Sequence, residues 1–249
     1  MSAKTHYNSV ASGIDKSIQK ERREAHNAVK SACIKEALFL AGVGPSITVL
    51  DLACGRGGDL PKFRGYNVNY HAVDIADRAL NEAERRFGEM QMSGTFNSYL
   101  GDAAAVDLPL EGNADIAIVN FALHYFTDSK EHCTQLIKNV AKCLRPGGVF
   151  CGIYTRSMCV FNSPYTSATH WPTEGEFIAQ PWGRRYMFSM PPFVSSEEFM
   201  VPMNSIIDIA YKHKLYLLKN RGIAEYAAAS MIPCEHIDPM YGVFMFTRV

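Results

Sequence analysis

Metal-type cysteine spacing is missing from this 249-residue chain: its seven cysteines include no CxxC pair, and their number is odd. That excludes a zinc ribbon and a fully paired disulfide framework, and scattered thiols fit a reducing compartment. Long apolar runs are missing too. No stretch reaches the ~18 residues of a membrane-spanning helix, so no span is expected. Met1 to Val10 holds no apolar core of a secretory signal, so none is expected there. Net charge is absent, with 25 basic against 25 acidic residues. Proteins that track long nucleic acids are usually basic, so any nucleic-acid substrate is expected to be gripped locally. Repeats and low-complexity segments are also lacking. What is present is 47% hydrophobic and 20% charged residues, enough for one large α/β domain with a proper core.

Strand and helix patterns alternate along the chain. Ile14 to Leu40 carries apolar residues at helical spacing, and Gly42, Gly44 and Pro45 end it. Met1 to Gly13 is polar and expected to be mobile, and Gln19–Arg23 reads as a solvated face. Apolar, β-branched runs predict strands at 47–52, 68–73, 95–100, 114–120 and 149–154. Helices are expected over 77–90 and 129–144. The rhythm breaks from Arg156 to Pro192, which holds Trp171 and Trp182 and reads as a lid, with a hairpin at 176–180 and 185–190. A helix at 197–213, a strand at 215–219, a short helix at 222–230 and a last strand at 241–246 complete the expectation. The fold class is α/β: a doubly wound, Rossmann-like sheet of seven strands whose last hairpin is antiparallel, with a lid insertion.

The organising stretch runs from Val49 to Leu60. It reads as a buried strand ending in Asp51, a turn with Gly55, Gly57 and Gly58, and the start of a short helix capped by Asp59. Ligands of open α/β sheets bind outside the carboxyl ends of the strands. Acids end three consecutive strands here: Asp51, Asp74 and, after Gly101, Asp102. An adenosyl ligand suits them. An acid after the second strand accepts from both ribose hydroxyls, one after the third accepts from the adenine amine, and the first orients the turn or meets a ligand ammonium. A dinucleotide is disfavoured. Leu60 stands where G-x-G-x-x-G needs its third glycine, and Asp59 has the wrong charge for a pyrophosphate.

The run DLACGRGGDL from Asp51 to Leu60, followed by Asp74-Ile75-Ala76, resembles the DLGCGKGGDL and DIA motifs of eukaryotic and viral mRNA cap guanine-N7 methyltransferases. The resemblance covers about residues 26–249. It divides the chain into 1–25, a tail and helix start, and 26–249, a class I methyltransferase domain with a cap-binding lid at about 156–193. It implies S-adenosylmethionine as cofactor, held by Lys30, Asp51, Ala53, Gly55, Asp74, Ile75, Asp102, Asn120 and Tyr125. Ala53 replaces the family's first glycine.

Asn120-Phe-Ala-Leu-His-Tyr125 resembles the family's QFxxHY. Phe121 offers a stacking face, His124 a donor for guanine O6, and Tyr125 an aromatic wall. Glu176 resembles the family's lid acid, which accepts from guanine N1–H and the exocyclic amine. Glu174 is near enough to take that role instead. Tyr241 resembles the tyrosine that opens the last strand. His26-Asn27-Ala-Val-Lys30-Ser31 resembles N-N-W-[IV]-K-S, with Asn27 on the cap side. Arg56, Lys62 and Arg86 match positions that hold the 5′–5′ triphosphate, where cations suit phosphate oxygens.

The implied activity is methyl transfer to N7 of the guanine in GpppN-ended RNA. No catalytic residue and no metal is called for, because N7 has a free lone pair and carries no proton. The implied partners are capped RNA and a guanylyltransferase and triphosphatase on other chains, with no membrane. The implied compartment is the nucleus for a cellular protein, or the cytoplasm or virion for a viral one. A small-molecule methyltransferase and a catalytically idle cofactor-fold subunit are the rival readings.

Overall fold

Buried parallel strands must be apolar on both faces, and the apolar runs of the sequence become the centre of one sheet. The computed structural model describes residues 16–190, 194–235 and 237–249. The expectations for Met1–Gly13 and for Ile14 lie outside those residues. Helix α1 (Lys16–Leu40) leads into β1 (Ser46–Leu52), β2 (Asn67–Asp74), α2 (Asp77–Glu89), β3 (Gly94–Leu100) and β4 (Ala114–Asn120). Then come α3 (Lys130–Cys143), β5 (Leu144–Thr155), α4 (Ser157–Val160), β6 (Thr166–Ser167), α5 (Glu174–Ala179), β7 (Arg185–Met190) and β8 (Val194–Phe199). The chain closes with α6 (Met203–Lys212), β9 (Leu215–Gly222), α7 (Ile223–Ala229) and β10 (Tyr241–Arg248).

The main sheet has seven strands in the order β3-β2-β1-β4-β5-β10-β9. The first five run parallel, and β10 is antiparallel to both β5 and β9. This is the expected topology, with its antiparallel final hairpin. The strand order reverses between β1 and β4, so their carboxyl ends open the crevice where doubly wound sheets bind ligands. Because β10 runs the other way, its first residue, Tyr241, pairs with Thr155 and lands on that same edge. One core lies under α1, built on Val29, Cys33, Ile34, Val49 and Ile118. The other lies under α3 and α6, built on Leu50, Leu136, Ile137, Phe150 and Ile206.

The insertion departs from the sequence expectation. Residues 174–179 form a helix, not a strand, because Thr173 and Glu176 make a reciprocal capping box. The partner of β7 is β8, paired from Arg185↔Phe199 to Met190↔Val194, and β6 adds a third strand. The helix expected from Glu197 therefore starts at Met203, and the small sheet continues to Phe199. The 19–23 stretch is not wholly solvated either: the Arg22 guanidinium lies 4.9 Å from the centre of the Tyr165 ring and ties α1 to the insertion.

Candidate functional site

The glycine turn after β1 is shaped by backbone conformations that ordinary residues avoid. Gly55 and Gly57 have φ of +54° and +69°. A Cβ on Gly57 would meet Leu60 Cδ1 at 2.6 Å, so close packing also requires a glycine there. A Cβ on Gly55 would meet nothing within 4 Å: the turn faces open space at that point. Ala53 takes φ +56°, a region that costs an L-residue roughly 1–2 kcal/mol. The family's glycine at this position has a backbone reason, and alanine carries the strain.

Asp74 clamps the turn. Its Oδ2 accepts from the Gly55 amide at 2.8 Å and its Oδ1 from the Ala76 amide at 2.9 Å. Each carboxylate oxygen has a second lone pair, so Asp74 can still accept from ribose hydroxyls. Beside it, Ile75 and Leu100 are 43% and 59% exposed, apolar faces at the carboxyl edge. Asp102 follows, with Oδ1 accepting from the Ala104 amide at 2.8 Å and Oδ2 2.9 Å from His132 Nε2. Two acids and two exposed apolar side chains around an open turn fit an adenosyl group.

Asp51 is buried and accepts from the Tyr70 hydroxyl. Burial, and then the charge of Asp59, push its carboxyl well above the usual carboxylate range. Asp51 therefore shapes the floor of the turn more than it presents a charge.

Asp59 does not cap the short 3-10 turn at 60–63; its side chain makes no capping bond there. It is buried, and its Oδ1 lies 2.7 Å from Lys30 Nζ and 2.8 Å from Lys62 Nζ. Its Oδ2 accepts from Asn120 Nδ2 at 2.9 Å, and Asn120 Oδ1 accepts from the Ile153 amide at 3.2 Å. Lys62 Nζ also reaches Asn27 Oδ1 at 3.5 Å. Asn27, Lys30, Lys62 and Asn120, singled out separately in the sequence, thus meet on one buried acid that was read as a cap. Burial alone would raise the Asp59 carboxyl, but the two ammonium groups outweigh it and hold the carboxyl below its ordinary range. Of the three expected phosphate holders, Lys62 turns inward. Arg56 is exposed, and its carbonyl accepts from Arg86 Nη1 at 2.8 Å, so those two guanidinium side chains share one surface.

The sequence-predicted aromatic residues pack in two groups. Phe121, at φ +57°, stands 4.9 Å from Tyr241 edge to face, and His26 packs 5.3 Å from each ring. His124 is buried, 4.0 Å from the half-buried Tyr125 ring, and neither of its ring nitrogens has a hydrogen-bond partner. Burial lowers its pKa against the pull of Glu198, so the ring is neutral.

The acid beside His124 is Glu198. Glu198 Oε1 lies 3.6 Å from His124 Nε2, and the side chain is buried. Its Oε2 accepts from the Tyr186 hydroxyl at 2.6 Å and its Oε1 from Ser196 at 3.2 Å. Glu176 is exposed, and its Oε2 is engaged by the Thr173 amide and hydroxyl at 2.7 and 2.9 Å. Glu174, the other candidate, opens the same surface helix. The pairing of β7 with β8 carries Glu198 inward. The signal for it was Val194–Phe199 itself, a short strand with an acid on its inner face, obscured by reading Glu197 as a helix start.

Sheet order, glycine turn and acid-lined edge define the class: a Rossmann-like methyltransferase fold. Solved structures share it. A S-adenosylmethionine-dependent methyltransferase from Clostridium acetobutylicum matches at TM-score 0.62 and 16% identity over 94% of this chain and 95% of that one. The PH0226 protein from Pyrococcus horikoshii matches at 0.66 and 16%, over the whole of both chains.

The chain belongs to the mRNA (guanine-N(7))-methyltransferase family, whose model matches residues 2–238. Among relatives, mRNA cap guanine-N(7) methyltransferase 1 of Arabidopsis thaliana is 29% identical over 88% of this chain and 68% of that protein. The Schizosaccharomyces pombe enzyme is 29% identical over 78% of this chain and 59% of its own length. The Drosophila melanogaster enzyme is 24% identical over 93% and 62%. The chain thus spans about three fifths to two thirds of the length of these relatives.

Proposed function

We propose that this chain methylates N7 of the guanine cap of GpppN-ended RNA, with S-adenosylmethionine as methyl donor. The observation that carries the reading is the buried pair of Glu198 and His124. Tyr186 and Ser196 already donate to the buried Glu198, and each carboxylate oxygen keeps a further lone pair for ligand donors. Guanine supplies them at N1–H and the exocyclic amine, while adenine lacks that pair. A neutral His124 donates one ring N–H to O6, and Phe121 and Tyr241 wall the base. Arg56 and Arg86 serve the triphosphate from the surface. Lys62 serves as the partner of Asp59.

Bound S-adenosylmethionine supplies a sulfonium methyl group. Asp74 would receive the ribose hydroxyls, Asp102 the adenine amine, and Ile75 and Leu100 would cover the base. Lys30 and Asn120, held by Asp59, would serve the methionine end. Guanine N7 carries no proton, so no residue acts as a base. The protein's contribution is alignment, which supplies up to about 7–11 kcal/mol of a barrier in favourable cases. Glu198 also favours the positive charge that develops on the methylated base. The substrate is an RNA already bearing a guanylyl cap, so the triphosphatase and guanylyltransferase steps come before this one. Of the compartments considered, the eukaryotic relatives favour the nucleus.

The test is a pair of variants assayed for methyl transfer to GpppG-RNA. Glu198→Gln should lower kcat/KM by about tenfold to a hundredfold, the scale of a lost bidentate base contact, with S-adenosylhomocysteine binding unchanged. Glu176→Gln should retain the wild-type rate. Wild-type activity in Glu198→Gln would refute the assignment of that residue.

A further inference from the structure

His132 is a residue that the functional reading above does not use. It sits in the first turn of α3, where Ser129 caps the helix by accepting from the His132 amide at 3.2 Å. Its ring bridges two acids. Nε2 lies 2.9 Å from Asp102 Oδ2, and Nδ1 lies 2.6 Å from Asp128 Oδ1. Phe126 packs against the ring edge to face at 5.5 Å. Asp102 comes from the connection after β3, Asp128 from the residues leading into α3, and Phe126 from the 3-10 turn at 123–126. Those two carboxylates are the titratable groups that face the ring, and Phe126 carries no charge.

We infer that His132 is a positioning residue that holds Asp102 in place to receive the adenine amine of the cofactor. The inference rests on the cofactor reading above. Asp102 has one oxygen on the Ala104 amide and the other on His132, so its carboxylate plane is fixed from two sides. Each oxygen keeps a lone pair for the ligand.

The bridge depends on the proton count of the ring. Only an imidazolium has two N–H groups to donate to two acids. Burial opposes the charged form, but hydrogen bonding to Asp128 and the charges of Asp102 and Asp128 outweigh it and raise the His132 pKa above the ordinary histidine value. The bridge is therefore complete below that raised pKa and loses one donor as pH rises through it. The shorter contact, to Asp128, keeps the remaining proton. Asp102 then faces a ring lone pair and loses its fixed orientation.

Binding of S-adenosylhomocysteine to the whole chain, measured by calorimetry across pH while NMR follows the His132 ring, tests this. Wild-type affinity should weaken about tenfold, the scale of one charge-assisted hydrogen bond, with the midpoint of the His132 titration. Preference over S-inosylhomocysteine, which carries a carbonyl in place of the amine, should fall with the same midpoint. His132→Gln, a neutral donor, should bind without that pH step. His132→Ala should bind about tenfold more weakly than wild type at low pH and also without the step. A wild-type affinity indifferent to His132 titration overturns the role of His132 and leaves the cofactor reading standing. A step that survives in His132→Gln does the same. No binding at any pH overturns the cofactor reading and this inference with it.

Discussion

Asp59→Ala removes the acceptor that Lys30 and Lys62 share. Both ammonium groups lie 2.7–2.8 Å from the same oxygen, and the lysine side chains are only 14% and 8% exposed. Breaking a buried ion pair by deleting one partner costs about 3–5 kcal/mol, because the other charge stays buried. Asn120 Nδ2 also loses its acceptor. For a chain of this size about 1 kcal/mol moves Tm by about 2–4 °C, so Asp59→Ala should melt roughly 6–20 °C lower. Asp59→Asn keeps the shape and one acceptor and should lose less. Urea unfolding at neutral pH measures both, provided the m-value is unchanged.

The sign with pH follows from the depressed Asp59 carboxyl. Its stabilisation is present above the unfolded carboxylate pKa and is lost as pH falls through the lower folded value. The gap between wild type and Asp59→Asn should therefore close in acid. A loss below about 1 kcal/mol, the range of an exposed pair, would refute the idea that this acid ties α1, the glycine turn and β4 together.

Three further outcomes follow from the same geometry. Ala53→Gly relieves a left-handed alanine; strain relief of roughly 1–2 kcal/mol less ~0.4–1 for the looser unfolded chain should leave a small net gain in urea unfolding. Asp74→Asn should weaken S-adenosylhomocysteine binding at least tenfold by calorimetry, since the carboxylate holds the Gly55 and Ala76 amides and is proposed to take the ligand hydroxyls as well. In the methyl-transfer assay, Glu198→Gln and Glu176→Gln should separate, with only the first impaired.

The parallel half of the fold was legible because buried strands leave unbroken apolar runs: 114–120 was bounded to the residue, and 47–52 and 68–73 missed only their ends. In the insertion only the strand at 185–190 was legible, and its partner was not. Its strands are short, and their register is set by partners along the chain that periodicity does not reveal. One signal was overlooked: Thr173 followed three residues later by Glu176 is a capping box, which marks a helix start. That Phe121 and Tyr241 come from distant stretches to pack on one another was legible through the motifs. The acid beside His124 was not, because Glu198 reaches it only through the pairing of β7 and β8. Asp59 looked like a cap from its neighbours, yet its partners lie on α1, on the turn at 60–63 and at the end of β4.

The central claim is that this chain methylates a guanine cap at N7. Labelled methyl transfer from S-adenosylmethionine to GpppG-RNA, set beside ApppG-RNA and a reaction without RNA, tests it most directly. The account predicts label in N7-methylguanine with the first substrate and none with the other two. Equal labelling of both RNAs, or label entering neither, would contradict it.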